Sequence, residues 1–185
     1  MFQSAENHTF GTRVREVGAS VAFMFIWVLF FSLCLQPFLS EISGTIPKNE
    51  LVLGVIPNYV LHDYWRMGVQ EAIASGLGWR LVAACIIAPF IEEIIFRGAV
   101  CLLAADDKGK LRHWGVMLIL ALSCIGFGMA HRNGLINSIM IQGVVGLFLA
   151  RLWFKNGPGQ KASYFSCVAA HSLYNFCIIA GALTL

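Results

Sequence analysis

The chain has 185 residues, of which 58% are hydrophobic and only 12% are charged. A soluble domain carries about 25% charged residues because its surface faces water, so this composition excludes an ordinary soluble protein and indicates a surface in contact with lipid. The net charge of +3 is small and is scattered along the chain, which argues against a nucleic-acid partner.

Five stretches of the chain are long and apolar enough to be membrane-spanning helices. The first begins after the charged N-terminal segment, and the other four follow residue 78. They cover Val17–Ser40, Trp79–Leu103, Trp114–Ala130, Asn133–Ala150 and Ala162–Leu185. The predicted fold class is therefore all-α, a polytopic bundle of transmembrane helices surrounded by membrane lipid.

Residues 41–80 are more polar than the predicted spans, and proline, glycine and charged residues interrupt them. This pattern predicts a loop followed by an amphipathic or interfacial helix near 58–75, while a sixth crossing over 50–75 stays open. We divide the single domain into an N-terminal span with its interfacial region (1–78) and a catalytic core of membrane helices (79–185).

Lysine and arginine residues concentrate at three places outside the predicted spans. They precede the first span, fill the turn at 104–112, and return in the turn at 151–161. With five spans these places lie on one side of the membrane, and the positive-inside rule assigns that side to the cytoplasm. We therefore predict a protein of the plasma membrane with a cytoplasmic N-terminus and an external C-terminus.

The second predicted span contains three charged residues, in the segment IAPFIEEIIFRGAV. Each charge at mid-bilayer costs about 2.5–3.5 kcal/mol, so a span that keeps three of them usually has a function, although a self-neutralising ion cluster is the simpler alternative. Glu93 and Arg97 are four residues apart on one helix face and are predicted to form an ion pair. Glu92 lies about 100° around the helix from Glu93, which leaves its carboxylate without that partner. We predict Glu92 as a general base, supported by the Glu93–Arg97 pair.

Two further polar groups stand in otherwise apolar spans. His131 ends the third span, where a histidine is often an interfacial residue. His171 lies well inside the last span, and Asn175 is its i+4 neighbour, a pair that could equally make hydrogen bonds between helices. Because three separate spans each carry acid–base residues, we predict that these residues meet around one polar cavity.

The motifs resemble those of the CAAX protease and bacteriocin-processing family, intramembrane proteases related to the type II CAAX prenyl endopeptidase. The family pattern is EExxxR, then FxxxH, then HxxxN, on three membrane helices. This chain has all three in that order: Glu92-Glu93-x-x-x-Arg97, Phe127-x-x-x-His131 and His171-x-x-x-Asn175.

The resemblance implies an endopeptidase that hydrolyses a peptide bond of a membrane-anchored protein or peptide, which can be prenylated. It also implies that Glu92 and His131 activate a water molecule. His171 and Asn175 correspond to the residues that stabilise the oxyanion, and preplaced donors of this kind are worth about 3–4 kcal/mol each.

The cofactor is left open by the sequence. Glu92, His131 and His171 form a plausible zinc ligand set with a free position for water, and the family has been described both as metalloproteases and as glutamate proteases. The chain has no HExxH helix that would supply two ligands on one face. We favour the metal-free glutamate mechanism.

Two other functions stay open. A non-proteolytic membrane scaffold or immunity-type protein would keep the family fold without using Glu92. A proton- or ion-coupled carrier would use buried glutamate and histidine side chains as a relay, although the sequence shows no inverted repeat.

Overall fold

The computed structural model describes residues 9–35, 76–106, 111–131, 138–155 and 161–184. In these ranges the chain forms five continuous helical stretches and no strand, so the all-α prediction is confirmed for the described residues. We number the helices along the chain: α1 (10–35), α2 (77–104), α3 (113–130), α4 (138–155) and α5 (161–184).

Each helix overlaps one predicted span. By length and composition, α3 and α4 qualify as helices able to cross a membrane, whereas crossing by the other three stays a prediction. The interfacial helix predicted near 58–75 and the sixth crossing left open over 50–75 lie outside the described residues.

Helix α4 extends past the end of the fourth predicted span. The charge-free run ends at Ala150, and α4 continues to Lys155. Arg151 and Lys155 are both exposed, so their aliphatic stems can lie along the helix while their charged ends reach polar surroundings. Charges at such positions do not end a helix.

Helix α2 combines buried charged side chains with an exposed apolar surface. Glu93 and Arg97 on α2 are completely buried, and His171 on α5 is 1% exposed. The exposed face of α2 carries large apolar side chains: Ile86, Ile91, Ile94 and Ile95. Burying ion-forming groups while exposing isoleucines is favourable only where the surroundings are apolar, which indicates that this face contacts lipid.

Helix α1 packs against α4 and α5 through one apolar stripe. Its buried residues Val21, Met24, Val28 and Phe31 recur at helical spacing. Thr9 caps the N-terminus by accepting a hydrogen bond from the backbone N–H of Thr12 at 3.3 Å. The indole N–H of Trp27 donates to the carbonyl of Met140 at 2.6 Å, which ties α1 to α4.

Helices α3 and α4 approach each other closely through glycines. A Cβ atom added at Gly143 would lie 2.5 Å from the carbonyl oxygen of Cys124, and one added at Gly146 would overlap the carbonyl oxygen of Ser123. Backbone therefore packs directly on backbone, an arrangement typical of membrane helices with small residues at their interface.

Replacing Gly146 by alanine is expected to destabilise the protein. The added methyl group meets backbone rather than a movable side chain, so the two helices must separate, at a cost of about 1–3 kcal/mol. Gly18→Ala on α1 is the matched control, because a Cβ there meets nothing within 4 Å. Unfolding in detergent should show a lower midpoint for Gly146→Ala alone. Equal midpoints for the two variants would contradict the close approach.

Candidate active site

Glu93 is the centre of a buried network on α2. Its Oε2 accepts a hydrogen bond from Nη1 of Arg97 at 2.6 Å, the ion pair expected from their i, i+4 spacing. Its Oε1 lies 3.0 Å from Nδ1 of His171 on α5. Both oxygens of this carboxylate are therefore occupied, one by each of two neighbouring side chains.

Arg97 extends the network to a third helix. Its Nη2 donates to the carbonyl of Gly146 at 2.9 Å, so the close approach of α3 and α4 places this acceptor within reach of α2. The guanidinium carbon also lies 5.6 Å from the ring centroid of Phe127, within the range of a cation–π contact. A charge that is costly to bury is thus compensated by a carboxylate, a carbonyl and an aromatic face.

The contact with Glu93 fixes the proton position of His171. A carboxylate paired with an arginine is ionised and can only accept hydrogen bonds, so Nδ1 of His171 must carry the proton that it donates. The other ring nitrogen, Nε2, then faces Glu92, with 3.8 Å between Nε2 and Oε2. In a neutral imidazole this Nε2 presents a lone pair.

Glu92 differs from Glu93 in its exposure and in its hydrogen bonding. Its side chain is 26% exposed, and its Oε2 is buried without a hydrogen-bond partner in the described part of the chain. The 3.8 Å to His171 exceeds a direct hydrogen bond. Two acceptors at this separation can share one water molecule that donates a hydrogen to each.

His131 lies at the C-terminal end of α3, beside this cluster rather than within it. Its Nδ1 is 2.8 Å from the carbonyl oxygen of Phe127, so Nδ1 donates there and Nε2 is left for other partners. The Phe127 ring separates the two histidines, with its centroid 4.6 Å from that of His131 and 5.3 Å from that of His171. Among the described residues His131 makes no hydrogen bond to Glu92 or His171.

Asn175 occupies a structural position one turn after His171. Its Nδ2 donates to the carbonyl of Ala84 on α2 at 2.8 Å. In the π-helical turn Ala83–Ile87 the N–H of Ala88 bonds to the carbonyl of Ala83, so the carbonyl of Ala84 would next receive the N–H of residue 89. Residue 89 is proline and has no N–H, and the Asn175 amide supplies the missing donor.

This explanation predicts a coupling between Asn175 and Pro89. Asn175→Ala leaves the Ala84 carbonyl without a donor and is expected to cost about 1 kcal/mol of stability. In a Pro89→Ala background, residue 89 regains an N–H for that carbonyl, so the cost of Asn175→Ala should become smaller. A double-mutant cycle on the free energy of unfolding measures this coupling. Strictly additive costs would show that the two residues do not serve the same carbonyl.

The predicted metal set is not brought together. The described residues contain no group of three histidine, cysteine, aspartate or glutamate side chains that could hold a metal ion. Glu92 and His171 face each other, but the Phe127 ring lies between His131 and His171. Glu92, His131 and His171 therefore do not fit a three-ligand zinc site, and we derive no step through a metal.

Two participants in the network were not assigned a site role from the sequence. The backbone carbonyls of Gly146 and Ala84 accept hydrogen bonds from Arg97 and Asn175. Every residue has a backbone carbonyl, so the sequence does not show which ones accept such bonds. Pro89 within an apolar helix does indicate that a preceding carbonyl lacks its backbone N–H donor.

A comparison with known protein families gives one match. The family model described as type II CAAX prenyl endopeptidase Rce1-like matches residues 74–177, which include all three motifs. No curated protein and no solved structure matches the chain.

Proposed function

Because the chain belongs to the type II CAAX prenyl endopeptidase Rce1-like family, we propose that it is an intramembrane endopeptidase whose general base is Glu92. Membership of this family and the two apolar helices α3 and α4 identify a membrane protein of a protease family. The residue roles, the substrate and the orientation in the membrane that follow are part of the proposal.

The observation that carries the proposal is the contrast between two adjacent glutamates. Glu93 is fully buried, with both oxygens bonded to Arg97 and His171. Glu92 is partly exposed and keeps an oxygen without a partner in the described part of the chain. An ion cluster that served only to hold helices together has no need of the second carboxylate, since the first already compensates the arginine.

The proposed reaction uses one water molecule held between Glu92 and His171. Glu92 takes a proton from this water while the water oxygen attacks the carbonyl carbon of the scissile peptide bond. The protonated Glu92 then gives that proton to the leaving nitrogen as the C–N bond breaks. His171 orients the water through Nε2 while Glu93 holds its Nδ1 proton.

The other assignments from the resemblance are constrained by the hydrogen bonds already present. His171 donates Nδ1–H to Glu93, so Nε2 is an acceptor; it can orient water but cannot donate to the oxyanion, which departs from the role implied by the resemblance. Asn175 keeps one of its two amide hydrogens for an oxyanion, since the other is donated to Ala84. For His131 only the resemblance supports a part in water activation; the Phe127 carbonyl holds its Nδ1, and Nε2 is the ring nitrogen that stays available.

The substrate that we propose is a membrane-anchored protein or peptide, with a prenylated C-terminal segment as the first to test. The positive-inside pattern supports a cytoplasmic N-terminus in the plasma membrane. A prenyl chain would bring the scissile bond to the depth of the bundle by inserting into the same lipid.

Purified protein in lipid nanodiscs tests this function. A farnesylated CAAX peptide and its unprenylated counterpart are incubated with wild type, Glu92→Ala and His131→Ala, and new chain ends are identified by mass spectrometry. Wild type should cleave the farnesylated peptide with or without a chelator, and both variants should not. Unchanged cleavage by Glu92→Ala would remove the proposed mechanism.

A membrane scaffold is the second candidate function. The network of Glu93, Arg97 and His171 joins three helices and would stabilise a bundle without any catalysis. A scaffold should keep its cellular phenotype in Glu92→Gln and lose it in Gly146→Ala. An endopeptidase should lose it in both variants.

A further inference from the structure

A second candidate site lies away from the proposed catalytic residues, where α1 meets the end of α4. A cavity of about 260 Å³ opens between the two helices. The polar part of its lining comes from the first turns of α1 and the last turn of α4. The lining residues are Arg15, Glu16, Ala19, Ser20, Phe23, Arg151, Leu152 and Lys155.

Positive charge dominates this cavity. Among its described lining residues, three are basic and one is acidic. The acid, Glu16, is 7% exposed and forms an ion pair with Lys155, with 2.9 Å between Oε1 and Nζ. Arg15 and Arg151 are both exposed and form no ion pair in the described part of the chain. The cavity therefore keeps two guanidinium groups with capacity for an anion.

The lining changes from polar to apolar along the helix axis. Arg15 and Phe23 are eight residues apart on α1, which places them about 12 Å apart along the axis. Phe23 is 50% exposed and stacks on Phe148 of α4, with ring centroids 6.1 Å apart. A ligand whose anionic group lies at the arginine end would thus have its apolar part along Phe23, toward the bilayer interior.

We infer that this cavity binds the phosphate group of an anionic phospholipid, with an acyl chain lying against Phe23. Arginine guanidinium groups match phosphate oxygens in geometry as well as in charge. Both helix ends carry basic residues that the positive-inside rule assigns to the cytoplasmic leaflet, where anionic lipids concentrate. Free phosphate shares the charge but lacks the chain that the apolar half of the cavity would contact.

Native mass spectrometry of the purified full chain in detergent tests the assignment. The protein is titrated with phosphatidylglycerol or phosphatidylcholine of identical acyl chains, and a third arm adds excess inorganic phosphate to the phosphatidylglycerol complex. Wild type should retain phosphatidylglycerol preferentially, and phosphate should not displace it. Equal retention of both lipids, or displacement by phosphate alone, would overturn the assignment.

A double variant links the preference to this cavity. Removing two basic residues with Arg15→Gln and Arg151→Gln should weaken phosphatidylglycerol binding about 30-fold. Arg112→Gln is the matched control, because Arg112 is an exposed arginine before α3 that does not line the cavity. Unchanged lipid retention in the double variant would place the lipid elsewhere on the protein.

Discussion

Glu92→Gln is expected to lower peptide cleavage by about 10²–10⁴-fold, the usual contribution of a general base. Glutamine keeps the shape of the side chain but cannot take a proton from water. Initial rates with a cleaved farnesylated peptide, compared at equal amounts of folded protein, provide the measurement. A rate within a few-fold of wild type would contradict the role of Glu92.

The same variant should keep its stability. Glu92 is 26% exposed and its Oε2 has no hydrogen-bond partner among the described residues, so the substitution breaks no hydrogen bond at that oxygen. The unfolding midpoint of Glu92→Gln should therefore match that of wild type. A large loss of stability together with a loss of activity would show that Glu92 is a structural residue instead.

Arg97→Met is expected to destabilise the protein by about 3–5 kcal/mol, because it leaves the Glu93 carboxylate buried without its charged partner. Glu93 is completely buried, so water cannot replace the lost hydrogen bond at Oε2. The carbonyl of Gly146 also loses the donor that Arg97 provides. The free energy of unfolding in detergent, compared with that of wild type, measures the effect.

Neutralising Glu93 at the same time should recover part of this loss. Glu93→Gln removes the charge that Arg97→Met leaves uncompensated, so the double variant should be more stable than the sum of the single costs predicts. Additive costs would mean that the ion pair contributes little to the coupling between these residues. Rescue to wild-type stability is not expected, because the Gly146 carbonyl stays without the Arg97 donor.

Local geometry along one helix could be predicted from the sequence. The i, i+4 spacing of Glu93 and Arg97 predicts their ion pair, and the long apolar runs predict where the five helices lie. The charge-free run that predicts the fourth span stops at Ala150, whereas α4 continues through Arg151 to Lys155. Exposure decides whether a helix tolerates a charge, and exposure depends on packing.

Contacts between helices could not be predicted in the same way. The sequence indicated that His171 and Asn175 share a face, but not that one would bond to Glu93 and the other to Ala84. These partners depend on the rotation and depth of α5 against α2, which the spacing within one helix does not determine. The separation of His131 from Glu92 has the same origin, since it depends on where α3 ends.

The proposed mechanism depends most on the orientation of His171, which can be measured without knowing the substrate. Solid-state ¹⁵N NMR of histidine-labelled protein in bilayers reports which ring nitrogen carries the proton, and a His171→Asn sample assigns the signal. We expect a proton on Nδ1 that is hydrogen-bonded in wild type and in Glu92→Gln, and that is perturbed in Glu93→Gln. A neutral ring protonated only at Nε2 would contradict the proposed mechanism, because Nδ1 would then have no proton to donate to Glu93 and Nε2 could not accept a hydrogen bond from water.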